Sequence, residues 1–178
     1  MLARSAEAGP ITLDTFYEFG FGSVGSQATG CDPADPAGPF CTPSGGTPTT
    51  FLDAPPWTFN VGAAGGSLTV TDAFNPIDQF QVFDFGASLG LTSAPVPGPS
   101  CGDDPVVCLA NPNVSHGVFA LAPGNHSITI VVTTQRGGGA GYLRAEQTVA
   151  QVVPEPATLL LVGSGALAAI TRARRRRG

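Results

Sequence analysis

The sequence predicts an all-β protein: a single β-sandwich of jelly-roll or immunoglobulin-like type, followed by a short C-terminal transmembrane helix. The composition supports the first part, because 178 residues include 24 glycines and 17 prolines, no lysine and few charges. Such a chain disfavours long helices and favours short strands joined by turns. Several segments alternate apolar and polar residues with a period of two, as half-buried strands do. One uncharged run near the C-terminus lacks this alternation and predicts the helix.

The strand pattern recurs along most of the chain. Clusters of Gly, Pro, Asn and Ser separate the alternating segments, and no helical period intervenes. Seven or eight short strands of this kind indicate a sandwich. The glycine run at residues 137–141 has no following Lys-Ser or Lys-Thr, so it is interpreted as a hairpin loop and not as a phosphate loop. The clearest strand segments are residues 16–21, 57–61, 68–71, 79–82, 118–121 and 127–133.

The chain divides into three parts. Residues 1–10 lack the basic start and apolar stretch of a complete signal peptide, but Ala6-Glu7-Ala8 has the small-x-small form of a cleavage site. They are interpreted as the remnant of a signal peptide or as a mis-called start. Residues 11–152 form the β-sandwich domain and are numerous enough to bury one core. Residues 153–178 form a separate C-terminal signal.

The four cysteines predict disulfides if the chain is exported. Their spacing favours Cys31 with Cys41 and Cys101 with Cys108, among three connectivities. Each pair brackets a loop rich in Pro or Asp, and closing such a loop stabilises the fold by roughly 2.5 to 3 kcal/mol in the chain-entropy model. A zinc site is the alternative, which the absence of C-x-x-C spacing disfavours.

The C-terminal part combines a short motif, an uncharged run and a basic end. The run, residues 157–170, spans about 21 Å as a helix, less than the roughly 30 Å of a bilayer core. Arginines beside it can reach the lipid head groups and hold the basic tail, residues 172–178, on the cytoplasmic side, which leaves the domain outside. The motif is Pro154, Glu155 and Pro156, and the arginines are Arg172, Arg174, Arg175, Arg176 and Arg177.

The alternative interpretation of this part is a core helix followed by a tail that binds nucleic acid. Two observations argue against it. Gly163 and Gly165 weaken a helix without a partner. Without residues 157–178 the charge is 3 − 13 = −10, because 3 arginines and 13 acidic residues remain. Phosphate backbones would repel such a domain, so we expect no nucleic-acid partner.

The ordered motif, apolar run and basic end resemble the PEP-CTERM sorting signal of exported bacterial proteins. In that family an exosortase, a membrane-embedded cysteine protease-transpeptidase, recognises the signal. The resemblance implies that Pro154, Glu155 and Pro156 are recognition residues for that enzyme, and that the protein reaches the cell surface or extracellular space after anchoring in the inner membrane. Many such bacteria make exopolysaccharide, which the resemblance suggests as a further partner.

Residues 51–147 also resemble exported sandwich modules of other PEP-CTERM proteins and carbohydrate-binding-like jelly rolls. This second resemblance rests on strand and turn patterns, and a fold does not fix a function. It implies an alternative role as a carbohydrate-binding module that interacts with exopolysaccharide. The first expectation is a surface or matrix protein whose biochemical role the sequence does not assign.

No catalytic constellation is expected in the domain, so the protein is predicted not to be an enzyme. His116 and His126 each neighbour a serine, Ser115 and Ser127. Neighbours on a strand point to opposite faces, which is the wrong geometry for a triad, and no G-x-S-x-G elbow occurs.

The sequence predicts no cofactor, and calcium is the one candidate. Asp72, Asp78 and Asp84 lie on or beside two strands and could supply oxygen ligands, although solvated turn aspartates are the favoured interpretation. The aromatic residues of the strand patterns could stack on sugars, but a place in the core is favoured for them. They include Tyr17, Trp57 and Tyr142.

Overall fold

The computed structural model describes residues 9–31, 42–134 and 137–149, which form two five-stranded sheets and one short helix. The predicted two-sheet β architecture is therefore confirmed. The first sheet contains, in spatial order, β1 (Gly9–Pro10), β4 (Trp57–Val61), β9 (Gly124–Thr134), β6 (Gln79–Asp84) and β7 (Ala87–Leu91). The second contains β3 (Thr49–Phe51), β2 (Phe16–Phe21), β10 (Gly139–Gln147), β5 (Gly66–Asp72) and β8 (His116–Leu121).

The strand pairing distinguishes between the two predicted sandwich types. Four antiparallel pairs are nested in the chain: β2 with β10, β4 with β9, β5 with β8, and β6 with β7. Further pairing of β5 with β10 and of β6 with β9 rolls this long ribbon into two sheets. Nested pairs rolled in this way make a jelly roll, so the immunoglobulin-like alternative is not the observed fold.

Aromatic rings from both sheets fill the space between them. The Phe19 ring packs edge-on against Phe80, with centroids 5.4 Å apart, and lies 5.9 Å from the Trp57 ring. The Trp57 indole donates a hydrogen bond to the Asp53 carbonyl at 2.8 Å. Tyr17, Trp57 and Tyr142 are all buried, as the strand pattern predicts. These aromatic side chains are therefore part of the protein interior and are not available to stack on sugars.

The outer face of the second sheet is largely buried as well. Residues 92–115, which connect β7 to β8 and which we call the cover, pack on it through a second apolar cluster that contains Phe16, Tyr142 and Val114. The predicted disulfide between Cys101 and Cys108 lies in this cluster and is confirmed. Residues 42–48 join the cover, since Asp103 and Asp104 accept backbone hydrogen bonds from Gly45 and Thr47 at 3.1 Å.

Three local features differ from the sequence interpretation. The cover contains a helix, α1 (Pro105–Ala110), which begins with Asp104 as its N-cap and proline at its first position. Strand β10 begins inside the glycine run that predicted a loop. Gly141 is needed there, because a Cβ atom would lie 2.5 Å from the Phe19 ring. Gly9–Pro10, assigned above to the preceding segment, pairs with β4.

The C-terminal signal lies outside the described residues. Within the described ranges, no helix is long and apolar enough to cross a membrane. The predicted helix at residues 157–170 and the arginine tail are not among them. Cys31 is buried and disulfide-bonded. Cys41 lies outside the described residues, so the pairing of Cys31 with Cys41 stays a prediction.

Candidate functional site

A cavity of about 380 Å³ opens beside the covered face of the second sheet. We call it the Glu18 cavity, since Glu18 is the carboxylate that lines it. Strand β2 places Glu18 directly opposite Tyr142 on β10. The remaining lining is mostly apolar or backbone and comprises Phe21, Thr42, Phe74, Gly138, Gly139 and Ala140.

The Glu18 carboxylate is only partly satisfied by hydrogen bonds. Its side chain is 0% exposed, and Oε1 accepts the Thr42 N–H at 3.2 Å. Oε2 is buried without a hydrogen-bond partner. Burial raises the pKa of Glu18 to about 7; the Thr42 hydrogen bond opposes this rise and the charge of Asp103 adds to it. Burial therefore disfavours ionisation of this carboxyl in the folded chain.

Tyr142 connects the Glu18 cavity to the cover. Its hydroxyl donates to the Asp103 carbonyl at 2.8 Å. Burial raises the pKa of Tyr142 above its usual range, and the charges of Glu18 and Asp103 act in the same direction. Tyr142 is therefore a neutral hydrogen-bond donor that holds the cover in place.

The three aspartates predicted as calcium candidates do not meet at one point. Asp72 and Asp78 are both buried and lie next to each other, since Asp72 Oδ2 accepts the Asp78 N–H at 3.2 Å. Asp72 Oδ1 accepts the Ala73 N–H at 2.8 Å. Asp78 precedes β6 and Asp84 ends it, so about 20 Å of strand separates them. The described ranges contain no group of three or more His, Cys, Asp or Glu residues that could hold a metal ion. Calcium binding stays a prediction.

Asp72 and Asp78 are also not the solvated turn residues that the sequence favours. Asp78 is 6% exposed, and its Oδ1 is buried without a hydrogen-bond partner. Burial raises the pKa of both carboxyls, and for Asp72 the charge of Asp78 adds to the effect while backbone N–H groups oppose it. The two residues therefore resist ionisation in the folded chain.

The two histidines do not form a serine triad. His126 Nδ1 lies 2.8 Å from Asp84 Oδ2, and its Nε2 lies 2.9 Å from the Ala122 carbonyl. Both ring nitrogens therefore face acceptors, which leaves none for a serine hydroxyl. The Ser115 hydroxyl bonds with Thr92 and the Ser93 carbonyl, while His116 Nδ1 lies 2.9 Å from the Val114 carbonyl.

A second pocket, of about 530 Å³, lies beside the turn between β6 and β7. We call it the Phe85 pocket. The turn residues Phe85 and Gly86 have φ angles of 47° and 80°, as a two-residue type I′ hairpin requires. The Phe85 ring is 68% exposed at the mouth of the pocket. Phe59 and His126 line its inner wall with ring centroids 5.3 Å apart.

The outer face of the first sheet continues from this pocket and carries amide and hydroxyl groups. Asn60 Nδ2 donates to Asn125 Oδ1 at 2.8 Å, and Gln81 Nε2 donates to Ser88 Oγ at 3.2 Å. Thr58 pairs with Ser127 on this face. Amides and hydroxyls both donate and accept hydrogen bonds, so this face can pair with uncharged hydroxyl groups.

Sequence reasoning missed Glu18 and Phe85 as site residues. A signal for each was present. Glu18 is the single charged residue of the strand FYEFGF, and Phe85 precedes glycine where hairpin turns favour Asn or Asp.

Comparison with known proteins assigns only the C-terminal part. A family model for the PEP-CTERM protein-sorting motif matches residues 152–177 and confirms the resemblance stated for the motif, the apolar run and the arginines. No curated protein and no solved structure matches the chain. The predicted recognition residues Pro154, Glu155 and Pro156 lie within the matched range and outside the described residues.

Proposed function

We propose that this protein is a non-enzymatic component of the cell surface or extracellular matrix that an exosortase processes at its C-terminus. The observation that carries the proposal is the PEP-CTERM motif at residues 152–177, which marks an exported, surface-associated protein and implies exosortase as a partner. In the proposal, residues 157–170 hold the precursor in the inner membrane until processing, with the arginines on the cytoplasmic side.

Features of the folded domain agree with this role. The disulfide between Cys101 and Cys108 suits an oxidising compartment. The His126 ring nitrogens lie beside Asp84 and the Ala122 carbonyl, and the Ser115 hydroxyl bonds to Thr92. Neither side chain is paired as a catalytic triad requires. These observations support a structural or binding role for the domain at the cell surface.

The sorting proposal is tested by Glu155→Ala in the full chain, expressed in a host that has an exosortase. The variant should remain in the membrane fraction with its tail intact, as intact mass measures, because the enzyme loses a recognition residue while the apolar run is unchanged. Glu146→Ala is the matched control, since it removes one partly exposed carboxylate from β10. Normal trimming of the Glu155→Ala protein would overturn the proposal.

A second candidate function is the binding of neutral polysaccharide at the Phe85 pocket. It is supported by the exposed phenylalanine at positive φ, a conformation costly for a side chain of this size. Solvent exposure means that packing does not compensate for the cost. A ring beside amides and hydroxyls can stack on a sugar face while the polar groups bond to its hydroxyls.

The glycan proposal is tested with Phe85→Asn, because Asn is favoured at this turn position and keeps the hairpin. Retention on a glycan array and on the host's isolated exopolysaccharide should fall at least about fivefold, if the lost ring stacking contributes about 1 kcal/mol, the lower value found for bases stacked on aromatic side chains. Val118→Ser is the control, since Val118 is 66% exposed on the other sheet. Wild-type protein that retains no glycan, or equal losses in both variants, would contradict the proposal.

A further inference from the structure

The strongest unexplained group in the described chain is Glu18 Oε2. A buried polar atom without a hydrogen bond costs free energy, and native structures leave few of them. The other oxygen of the same carboxylate already bonds to Thr42, so the group is held in place with one acceptor unused. This unused acceptor belongs to a residue that lines a cavity, and Oε2 itself is closed to solvent, so a ligand reaches it only when a side chain of the wall shifts.

The charged groups of the described chain that act on Glu18 and on its neighbour Tyr142 are acidic. Asp103 is close enough to act on Glu18 by its charge, and the charges of Glu18, Asp103 and Asp104 all act on Tyr142. The chain has no lysine, and Arg144 is the one arginine within the described ranges. Its guanidinium bonds to Glu146 at 2.7 Å and lies 4.5 Å from the Phe16 ring centre. Among the described residues, no arginine or lysine side chain therefore pairs with Glu18.

The walls of the cavity determine which cation fits. Phe21, Phe74 and Ala140 present carbon, and Gly138 and Gly139 present backbone. A Cβ atom at Gly139 would lie 2.6 Å from the Phe21 ring, so the close packing of this wall requires glycine. Calcium takes about six to eight oxygen ligands, and among the described lining residues only Glu18 and Thr42 carry side-chain oxygens. A cation attached to a carbon framework suits these walls better, because carboxylate and aromatic rings both attract an ammonium group.

We propose that the Glu18 cavity binds a small organic primary ammonium, whose N–H groups donate to Glu18 Oε2 while its carbon framework packs between Phe21 and Phe74. The cavity volume lies within the roughly 300 to 1,000 Å³ of small-molecule sites. The ammonium could belong to a simple amine or to an amino sugar, since both present the same group. The inference is independent of sorting and of the Phe85 pocket.

The experiment is calorimetric titration of the disulfide-bonded protein with two matched pairs: benzylamine against benzyl alcohol, and glucosamine against glucose. At least one amine should bind, at least about tenfold more tightly than its neutral partner, because a hydrogen bond between charged groups is lost in the neutral compound. Binding by benzylamine alone identifies a simple amine, and binding by glucosamine identifies an amino sugar. Absence of binding by both amines at pH 7, where both carry an ammonium group, overturns the proposal.

Glu18→Gln supplies the matched variant, since it keeps the shape and removes the charge. It should lose at least about tenfold in amine affinity, whereas Glu146→Gln should lose none. Benzylamine stays protonated between pH 6 and pH 8, so its affinity should rise over this interval as Glu18 ionises. In the wild type, added amine should shift the amide resonance of Gly139 and the methyl resonance of Ala140. Unchanged affinity in Glu18→Gln, or unchanged resonances in the wild type, contradicts the inference.

Discussion

The outer faces of the two sheets differ in what they expose. The first sheet is open and carries uncharged amides and hydroxyls, whereas much of the second lies beneath the cover and buries Glu18 and Tyr142. Both sheets have five strands and face the same core, so the cover accounts for the difference between their outer faces. The groups whose pKa is raised, namely Glu18, Tyr142, Asp72 and Asp78, lie on the second sheet or beside the end of β5. The groups that can contact a large ligand lie on the open face.

The cover is held by three kinds of interaction. The disulfide closes its own loop, Tyr142 bonds to the Asp103 carbonyl, and two backbone bridges join Phe74 to Gly102 and to Cys101. The first sheet has no comparable covering segment within the described ranges, and its exposed residues include Phe85 and Leu91. Substitutions beneath the cover should therefore change stability, while substitutions on the open face should change binding.

The largest expected effect is the dependence of stability on pH, which arises from the buried carboxyls. Glu18 is harder to ionise in the folded chain than in the unfolded chain, so its ionisation favours unfolding. The stabilisation is fully present below the ordinary pKa of 4.5 and is lost as pH rises through about 7. At 1.36 kcal/mol per unit, Glu18 alone should lower the free energy of unfolding by on the order of 3 kcal/mol. Asp72 and Asp78 act in the same direction.

Chemical denaturation between pH 5 and pH 9 measures this effect. Glu18→Gln should flatten the profile and raise stability at pH 8, and Asp78→Asn should flatten it further. Glu146→Gln is the control, since that carboxylate is one-third exposed and pairs with Arg144. A wild-type profile that rises between pH 5 and pH 8 would show that these carboxyls ionise readily in the folded state.

The next effect concerns the disulfide of the cover. Replacing Cys101 and Cys108 with alanine opens a loop of sequence separation 7 and should lower the free energy of unfolding by roughly 2.5 kcal/mol in the chain-entropy model. The pKa of Tyr142 should also fall towards its ordinary value, because a looser cover admits water. Denaturant unfolding and ultraviolet titration of tyrosine measure the two changes. Glycan retention at the Phe85 pocket should not change, and a joint loss would show that the two faces are coupled.

The sequence predicted what depends on local pattern. Strands β4 and β9 follow from alternation within their own residues, and the jelly-roll order required pairing between strands far apart in the chain. Helix α1 is a single short element whose only local signals are Asp104 and the proline after it. The loop predicted for the glycine run is correct for Gly137 and Gly138 and wrong for residues 139–141, which belong to β10 and pack against the Phe19 and Phe21 rings.

The candidate sites were less predictable for the same reason. Thr42 bonds to Glu18 from 24 positions away and the charge of Asp103 acts on it from 85 positions away, so much of its environment is absent from its own strand. The Asp84 and His126 side chains are in contact, although the two residues lie 42 positions apart in the sequence. The sorting motif, in contrast, is read as a linear peptide, and its residues could be identified without any fold.

The smallest expected effect separates function from stability on the open face. Phe85 and Gly86 form a type I′ turn, in which both residues have positive φ and Asn is favoured at the first position. Phe85→Asn should therefore raise the free energy of unfolding by about 0.5 to 1 kcal/mol, as removal of left-handed strain from a bulky residue allows. Denaturant unfolding checks the change, with Leu91→Ser as the control, because Leu91 is exposed on the neighbouring strand without positive φ. A stabilised variant that no longer retains glycan would mean that Phe85 is kept for binding at a cost to the fold; a destabilised variant would mean that its ring packs against the pocket and that the open face has a structural role.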